Sequence, residues 1–245
     1  SGGQDSMALM TLLDDIKSHH NWSINVWHGN HKWHNKSDEF TKELQNYCFK
    51  KKIIFHKDSA DEIDISTEEK ARKWRYQKLY EKASEICAKN KNQNNLYVVT
   101  GHTSTDNSET FLLNLARGSN LSGLSGIPCK RLFNEDYFLV RPLMIFNRDD
   151  TTAICKELKI PFWIDPTNSD TQLKRNLVRH RVMSELEEIY PGCSHRINNF
   201  IEKMKNYNQE RSELCELAIK SCLCDDGIRR TPLKELGKQA RSTLL

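Results

Sequence analysis

Hydrophobic positions along this chain switch repeatedly between two periods. Leu9, Leu12, Leu13 and Ile16 recur at three and four, which predicts a helix from about Asp5. Trp22, Ile24 and Val26 alternate with polar residues, a strand ending at His28-Gly29. The helical period returns from about Ser37, with Phe40, Leu44, Tyr47 and Cys48 on one face. Ile53-Ile54-Phe55 reads as a short strand, and Ser66-x-x-Glu69 has the form of a capping box opening a long helix to about Ala88. Lys89 to Asn95 reads as a solvated loop. Leu96-Tyr97-Val98-Val99-Thr100 is a continuous apolar run, as in a buried parallel strand. A helix then runs from about Thr103 to Arg117 and ends at Gly118.

The remaining elements are shorter until the last. Gly118 to Pro128 is a Gly/Ser-rich loop, and Leu132-Phe133 with Tyr137 to Val140 reads as a hairpin turning at Asn134-Glu135-Asp136. Asn147 caps a helix to Leu158, Phe162-Trp163-Ile164 reads as a strand, and a helix runs from about Thr171 to Ile189. Pro191-Gly192 stops it, and a long helix follows from Ser194 to Cys222. Its apolar positions include Ile197, Phe200, Ile201, Met204, Tyr207, Leu214, Cys215 and Ala218. Alternating strands and helices imply an α/β fold, a doubly wound parallel sheet, here followed by a smaller helical domain. The expected boundaries are 1–190 and 191–245. In such sheets ligands bind at the carboxyl ends of strands. The first six residues, His28-Gly29 and Thr100-Gly101-His102 all fall at such ends.

Composition narrows the class without naming a partner. Of 245 residues 29% are charged and 37% hydrophobic, so a soluble globular protein is expected. No apolar run approaches the roughly 18 residues of a membrane span, and no signal peptide is visible. A net charge of +4 permits an RNA partner but does not argue for one. The eight cysteines are scattered with no CxxC pair, which reads as reduced thiols in a cytoplasm-like compartment.

Four constellations could carry chemistry. In Ser1-Gly2-Gly3-Gln4-Asp5-Ser6 two glycines let the backbone turn and approach a ligand, and the helix start behind them offers free N–H groups to a phosphate. Asp5 repels a phosphate unless Mg²⁺ bridges the two; an ordinary capped turn is the plain alternative. Asp106 and Glu109, three apart in a first helical turn, place two carboxylates on one face. They could offset the helix dipole, hold Mg²⁺, or hold the ammonium of an amino acid. Arg72, Arg75 and Tyr76 share a helix face suited to phosphate or carboxylate, where a solvated basic face is the alternative. Lys174, Arg175, Arg179, His180 and Arg181 place five potential cations within eight residues, with Asn176 among them and Val178, Val182, Leu186 and Ile189 opposite. No counter-charge follows until Glu185, which favours an RNA backbone.

The residues resemble a known family, the tRNA(Ile)-lysidine synthases, a branch of the PP-loop ATP pyrophosphatases. The resemblance rests on Ser1-Gly2-Gly3-Gln4-Asp5-Ser6 and on Glu69-Lys70-Ala71-Arg72-Lys73-Trp74-Arg75-Tyr76. It continues through Thr100-Gly101-His102-Thr103-Ser104-Thr105-Asp106-Asn107-Ser108-Glu109-Thr110, Leu112 to Gly118 and Arg141-Pro142-Leu143. Asp165-Pro166-Thr167-Asn168 and Arg175-Asn176-Leu177-Val178-Arg179-His180 complete it. These motifs cover about Ser1 to Leu186 in family order, and a phosphate loop with no strand before it implies an N-terminally truncated sequence; the C-terminus is expected to be incomplete too.

The resemblance implies adenylation by ATP of the C2 oxygen of the cytosine at the first anticodon position of a tRNA-Ile with a CAU anticodon. Free L-lysine then displaces AMP. By motif position Ser1, Gly2, Gly3, Gln4, Asp5, Ser6, His28 and His102 would bind ATP, and Asp5 with Asp106 would hold Mg²⁺. Asp106, Glu109 and Arg72 would contact lysine, with Asp5 among the catalytic residues. Lys174, Arg175, Asn176 and Arg179 would bind tRNA. A cytoplasmic protein without membrane contact is implied, and a homodimer is allowed.

Two departures stand out. The family often has two adjacent aspartates where this chain has Thr105-Asp106, and its Val-Asp-His-Gly-Leu-Arg is Val26-Trp27-His28-Gly29-Asn30-His31 here. The variant resembles cyanobacterial and plastid forms. A tRNA 2-thiolation enzyme of the same superfamily is the main rival, and the missing CxxC argues against it. A small-molecule amide-forming ATP pyrophosphatase and a tRNA-binding protein without catalysis are weaker rivals, set against by the basic Lys174–Arg181 run and the intact acidic residues.

Overall fold

The computed structural model describes residues 1–61, 67–89, 96–134, 136–169, 173–224, 227–235 and 237. Helix α1 (Gln4–Ile16) is followed by β1 (Asn25–Asn30), α2 (Ser37–Lys50) and β2 (Ile54–Ser59). Strands β1 and β2 pair in parallel, from Asn25 opposite Ile54 to Asn30 opposite Ser59. Next come α3 (Glu68–Lys89), β3 (Tyr97–Val99) and α4 (Ser104–Ala116), then the hairpin β4 (Lys130–Phe133) and β5 (Tyr137–Val140). β5 lies parallel to β3 and antiparallel to β4. Helices α5 (Arg148–Glu157), α6 (Lys174–Leu177), α7 (Ser184–Ile189) and α8 (Cys193–Cys222) follow. A small ladder of β6 (Leu223–Cys224) with β7 (Gly227–Ile228) precedes α9 (Arg230–Glu235). Parallel strands joined through helices are the α/β arrangement that the alternating periods imply.

Several boundaries differ from the sequence expectation for identifiable reasons. Trp22 stacks on His20 outside any strand, and β1 begins at Asn25 and runs on to Asn30. The Phe162-Trp163-Ile164 strand does not form. The segment is bracketed by Pro161 and Pro166, which lack an N–H for a ladder. Its Trp163 N–H instead donates to the Gly2 carbonyl at 2.9 Å. In α1 the buried residues are the continuous run Met7 to Thr11, while Ile16 is 42% exposed. The helix is thus enclosed on all sides from Met7 to Thr11, while its first turn, Gln4 to Ser6, is only partly buried. Ser66, residues 90–95, Glu135 and Thr171 lie outside the described residues; at the start of α3 the Thr67 hydroxyl accepts the Lys70 N–H at 3.2 Å.

The buried apolar residues form two cores. Met7, Ala8, Met10, Leu44, Cys48, Ile53, Cys155 and Ile160 form one, under α1, α2 and α5. Ala83, Val98, Phe133 and Leu139 form the other, between α3 and the β3–β5–β4 sheet. Burial pushes the Cys48 thiol up to about 11 and raises that of Cys155, so these two cysteines are packing residues.

The proximal half of α8 is tied to α4. Asn198 donates from Nδ2 to the Ser104 carbonyl at 3.0 Å and to the Ser108 hydroxyl at 2.7 Å, and its Oδ1 accepts from Asn107 at 2.9 Å. Phe200 meets Phe111 edge-on at 5.8 Å, and Ile201 is buried. Gly126 closes this junction at φ +70°: a Cβ there would lie 2.3 Å from the Asn107 side-chain oxygen and 2.7 Å from Ile201. Farther along α8, Leu214 and Leu217 are exposed. Among the described residues, no helix is long and apolar enough to cross a membrane.

Candidate active site

The Gly-Gly turn delivers the chain to α1 with its first amides open. Gly3 is the N-cap in extended conformation, and no side chain caps the helix. The first helical N–H groups therefore have no intrahelical acceptor and face outward along a positive dipole. Gly2 is needed for contact: a Cβ there would lie 2.5 Å from the Trp163 ring. Ser6 donates to the Gly3 carbonyl at 2.8 Å, and its hydroxyl lies 3.1 Å from that of Ser1. The turn after β3 closes against the same place, since a Cβ on Gly101 would lie 3.0 Å from the Asp5 carbonyl carbon and oxygen. Residues far apart in sequence thus meet at strand carboxyl ends.

Beside this turn stands a knot of three carboxylates and three guanidiniums. Asp106 belongs to a capping box: its Oδ2 accepts the Thr103 N–H at 2.8 Å, and Thr103 is fully buried. Its Oδ1 accepts from Arg175 at 2.9 Å, with Arg179 at 3.6 Å and Arg148 at 3.8 Å. Glu109, 0% exposed, accepts from Arg175 Nε at 2.9 Å and from Arg179 Nε and Nη2 at 2.6 and 2.9 Å. Asp5 accepts from Thr151 at 2.5 Å and from Arg148 at 3.3 Å. Burial works to raise the Asp106 carboxyl, but the Arg175 charge and the Thr103 N–H prevail and hold it below the usual carboxylate range. Arg175, half-buried, is held more firmly protonated by Asp106 and Glu109 against the pull of desolvation.

The basic run of Lys174 to Arg181 is placed differently from the sequence expectation. Arg175 and Arg179 turn inward to α4, which supplies the counter-charges that their own helix lacks. Asn176 is buried and donates to the Thr167 carbonyl at 2.9 Å, while Lys174 is exposed. The helix is also not continuous: α6 gives way to a π-helical stretch, Val178–Met183, before α7. Its wider turn buries Val178 and Met183, five apart, while Val182 and Ile189 of the expected apolar face are exposed. A π segment beside charged buried groups is a common accompaniment of function.

The remaining candidates surround the knot. His102 bonds to the Thr100 hydroxyl at 3.0 Å, and burial, opposed by the Asp106 charge, lowers its pKa to about 4. His28 bonds to Thr41 at 3.1 Å, and burial lowers its pKa to about 3. Both are neutral imidazoles near pH 7. Arg72 is exposed and lies over the Tyr76 ring, 5.3 Å from its centroid. Trp27 donates to Asp58 at 2.6 Å on the neighbouring strand, so an indole fills the place of the family's aspartate. Thr105 accepts the Arg148 N–H at 3.1 Å and so still helps to position the knot. Arg148 and Thr151 escape sequence reasoning: they lie more than forty residues from their partners, in an ordinary capped helix after Asn147.

Asp5 and Asp106 supply hard oxygen donors that both approach the Arg148 Nη2. Two carboxylates converging on one positive charge suit Mg²⁺, which keeps several waters and is bound through few protein ligands. Among the described residues no larger cluster of metal-ligating side chains occurs.

Comparison with known proteins agrees with this geometry. A family model described as a PP-loop domain matches residues 1–186. A tRNA(Ile)-lysidine synthase of Prochlorococcus marinus strain MED4 is 53% identical over the whole chain, which spans 73% of that protein. Another, from strain NATL1A, is 43% identical over 91% of the chain and 68% of its own length. The U34-tRNA thiolase NcsA of Methanococcus maripaludis, solved with its [4Fe-4S] cluster, superposes with a TM-score of 0.63 over 84% of this chain and 70% of its own; at 16% identity it supports the fold alone. A chain whose phosphate turn, acidic α4 and arginine pair come together in this way, and whose relatives carry that name over its full length, belongs to the tRNA(Ile)-lysidine synthase family of PP-loop proteins.

Proposed function

We propose that this protein joins free L-lysine to C2 of the cytidine at the first anticodon position of tRNA-Ile with a CAU anticodon, using ATP. The observation that carries the reading is the meeting of the open α1 N-terminus with the Asp5–Asp106–Glu109 knot. The cytosine C2 oxygen attacks the α-phosphorus of ATP and pyrophosphate leaves. The lysine ε-amine then attacks C2, AMP departs with the oxygen, and the amine loses its proton. The C2 carbonyl is a poor electrophile until its oxygen is part of a leaving group, which is why ATP is spent.

The side chains divide this work. In this reading the α1 amides and the Ser1 hydroxyl stabilise charge on the departing pyrophosphate, joined by the Ser6 hydroxyl once it leaves the Gly3 carbonyl. Mg²⁺ held by Asp5 and Asp106 would supply positive charge against the phosphates. Asp106 offers the acidic face for the lysine ammonium, while Glu109, enclosed by Arg175 and Arg179, acts through the two guanidiniums that it orients. Lys174 remains available to an RNA phosphate, and the part of the chain from α8 onward is the tRNA-binding portion in this reading. A cytoplasmic setting fits a tRNA substrate. The exposed Tyr207, Leu214 and Leu217 on α8 support a homodimer, which sedimentation would read.

The test is direct: incubate the full-length protein with ATP, radiolabelled lysine and the tRNA-Ile transcript. Lysine transferred to RNA, with AMP and pyrophosphate released, is expected. ATP-dependent sulfur transfer instead of lysine transfer would favour the thiolation alternative.

A further inference from the structure

A second set of cations lies at the same end of the sheet and has no acid in it. Arg131 is on β4, paired across from Leu139 of β5, and Arg141 follows β5 directly, so both sit at the carboxyl end of that strand. Their side chains converge with Arg72 of α3 on Tyr76. Arg72 lies 5.3 Å and Arg131 5.6 Å from the Tyr76 ring centroid, and Arg131 and Arg141 both neighbour its hydroxyl. Among the described residues no carboxylate lies within 4.0 Å of Arg72, Arg131 or Arg141. Arg141 is 4% exposed; its Nη1 donates to the Pro128 carbonyl at 2.6 Å, but its buried Nε has no partner.

Guanidiniums crowded together without an anion repel one another, and a buried cation without a counter-charge is costly. A protein that maintains such a group has a use for an anion there, and the unpartnered Nε of Arg141 is an unused donor for it. We infer that Arg72, Arg131 and Arg141, gathered on Tyr76, form a phosphodiester site that takes the RNA backbone next to the target nucleotide. The inference rests on the tRNA reading above. RNA is favoured over the carboxylate of the amino acid by the extent of the charge. Three guanidiniums exceed what one carboxylate needs, and all three stand on the face of the sheet that α3 covers, since Arg131 pairs with Leu139 and Arg141 lies two residues beyond it. The group also leads to the chemistry, because His102 feels the charges of Arg141 and Arg72 as well as those of Asp106 and Arg175. Base-bearing substrate held there by its phosphates would present its ring to the knot.

Arg131 is the residue to change, being half-buried and on a short edge strand. Binding of the tRNA-Ile transcript to the full-length protein is measured from low to high salt, alongside the KM for lysine. Arg131→Gln should weaken binding roughly five- to tenfold and reduce the salt slope by about 0.7 to 0.9, with KM for lysine unchanged. Arg131→Lys should restore the slope, which a purely structural defect would not allow. Unchanged affinity and slope in Arg131→Gln, or a raised KM for lysine at an unchanged slope, overturns the inference, the latter in favour of the carboxylate. If the unsubstituted protein itself fails to bind the transcript, the tRNA reading falls and takes this inference with it.

Discussion

Two clusters of arginine stand at the carboxyl ends of these strands, and they are built oppositely. In the knot, Arg148, Arg175 and Arg179 face Asp5, Asp106 and Glu109, so charge is matched; Arg175 and Arg179 bond at 2.9 and 2.6 Å, and Arg148 is looser at 3.3 Å. Around Tyr76, Arg72, Arg131 and Arg141 face an aromatic ring and no acid. The first arrangement is pre-organised: every guanidinium already faces a carboxylate, although the Arg148 Nε has no partner, so little must move when a substrate charge arrives. The second is incomplete by itself and suits a ligand that brings negative charge. Position at the end of a strand therefore does not define a cation's role; its partners do.

The contrast makes predictions of decreasing size. Glu109→Gln should convert part of the knot into an uncompensated cluster and lower unfolding free energy by about 3–5 kcal/mol, read from the urea midpoint. A shift below about 1 kcal/mol would mean that the knot's pairing is not structural. Asp5→Asn should cut pyrophosphate release by about 10²–10³ while tRNA binding is retained, because it weakens charge at the phosphate turn and leaves the Tyr76 cluster untouched. Equal loss of both activities would point to misfolding or another role for Asp5.

Acidification tests the neutral side of the site. Burial holds His28 near a pKa of about 3 in the folded chain, against about 6.5 when unfolded. Below that unfolded value the unfolded chain binds a proton that the folded one does not. Stability from this group is complete above pH ~6.5 and falls as pH drops toward the folded value, by up to about 1.4 kcal/mol per pH unit. Urea midpoints at pH 7.5, 6 and 5 should show it, and His28→Gln should flatten the decline. Asp106 adds its own loss only at lower pH, as its depressed carboxyl finally protonates. The smallest effect belongs to the open cluster: Arg131→Gln should change stability by no more than about 0.5 kcal/mol, or raise it, because like-charge repulsion is relieved. A drop above about 2 kcal/mol in thermal or urea unfolding would show that the Arg131 bond to the Leu132 carbonyl at 2.9 Å and its place over the Phe133 ring are structural.

Much of the site was legible from local pattern. The turn Gly2-Gly3 before an amphipathic run signals an open helix start, and Asp106 with Glu109 announces two carboxylates on one face. The basic residues from Lys174 to Arg181 stand out as a run on one helix, but a run of cations does not show which partners they meet. Arg175 and Arg179 find their partners on α4, some seventy residues away. Likewise Arg148 and Thr151 reach Asp5 only because α5 packs on α1. Trp163 looked like a strand residue, and its neighbouring prolines with the contact to Gly2 made it a wall of the phosphate turn instead.

The sequence by itself determined the alternation of strands and helices, the phosphate turn and the acidic pair, because each depends on residues within one or two turns of each other. Tertiary structure alone decided which charges meet. Ion pairing is settled by distances of a few ångströms between side chains that the chain brings together from remote positions, and no local period encodes such distances. For that reason a helix that reads as a free basic face is half locked into the knot. The arginines left without acids are found elsewhere, around a tyrosine at the end of β5.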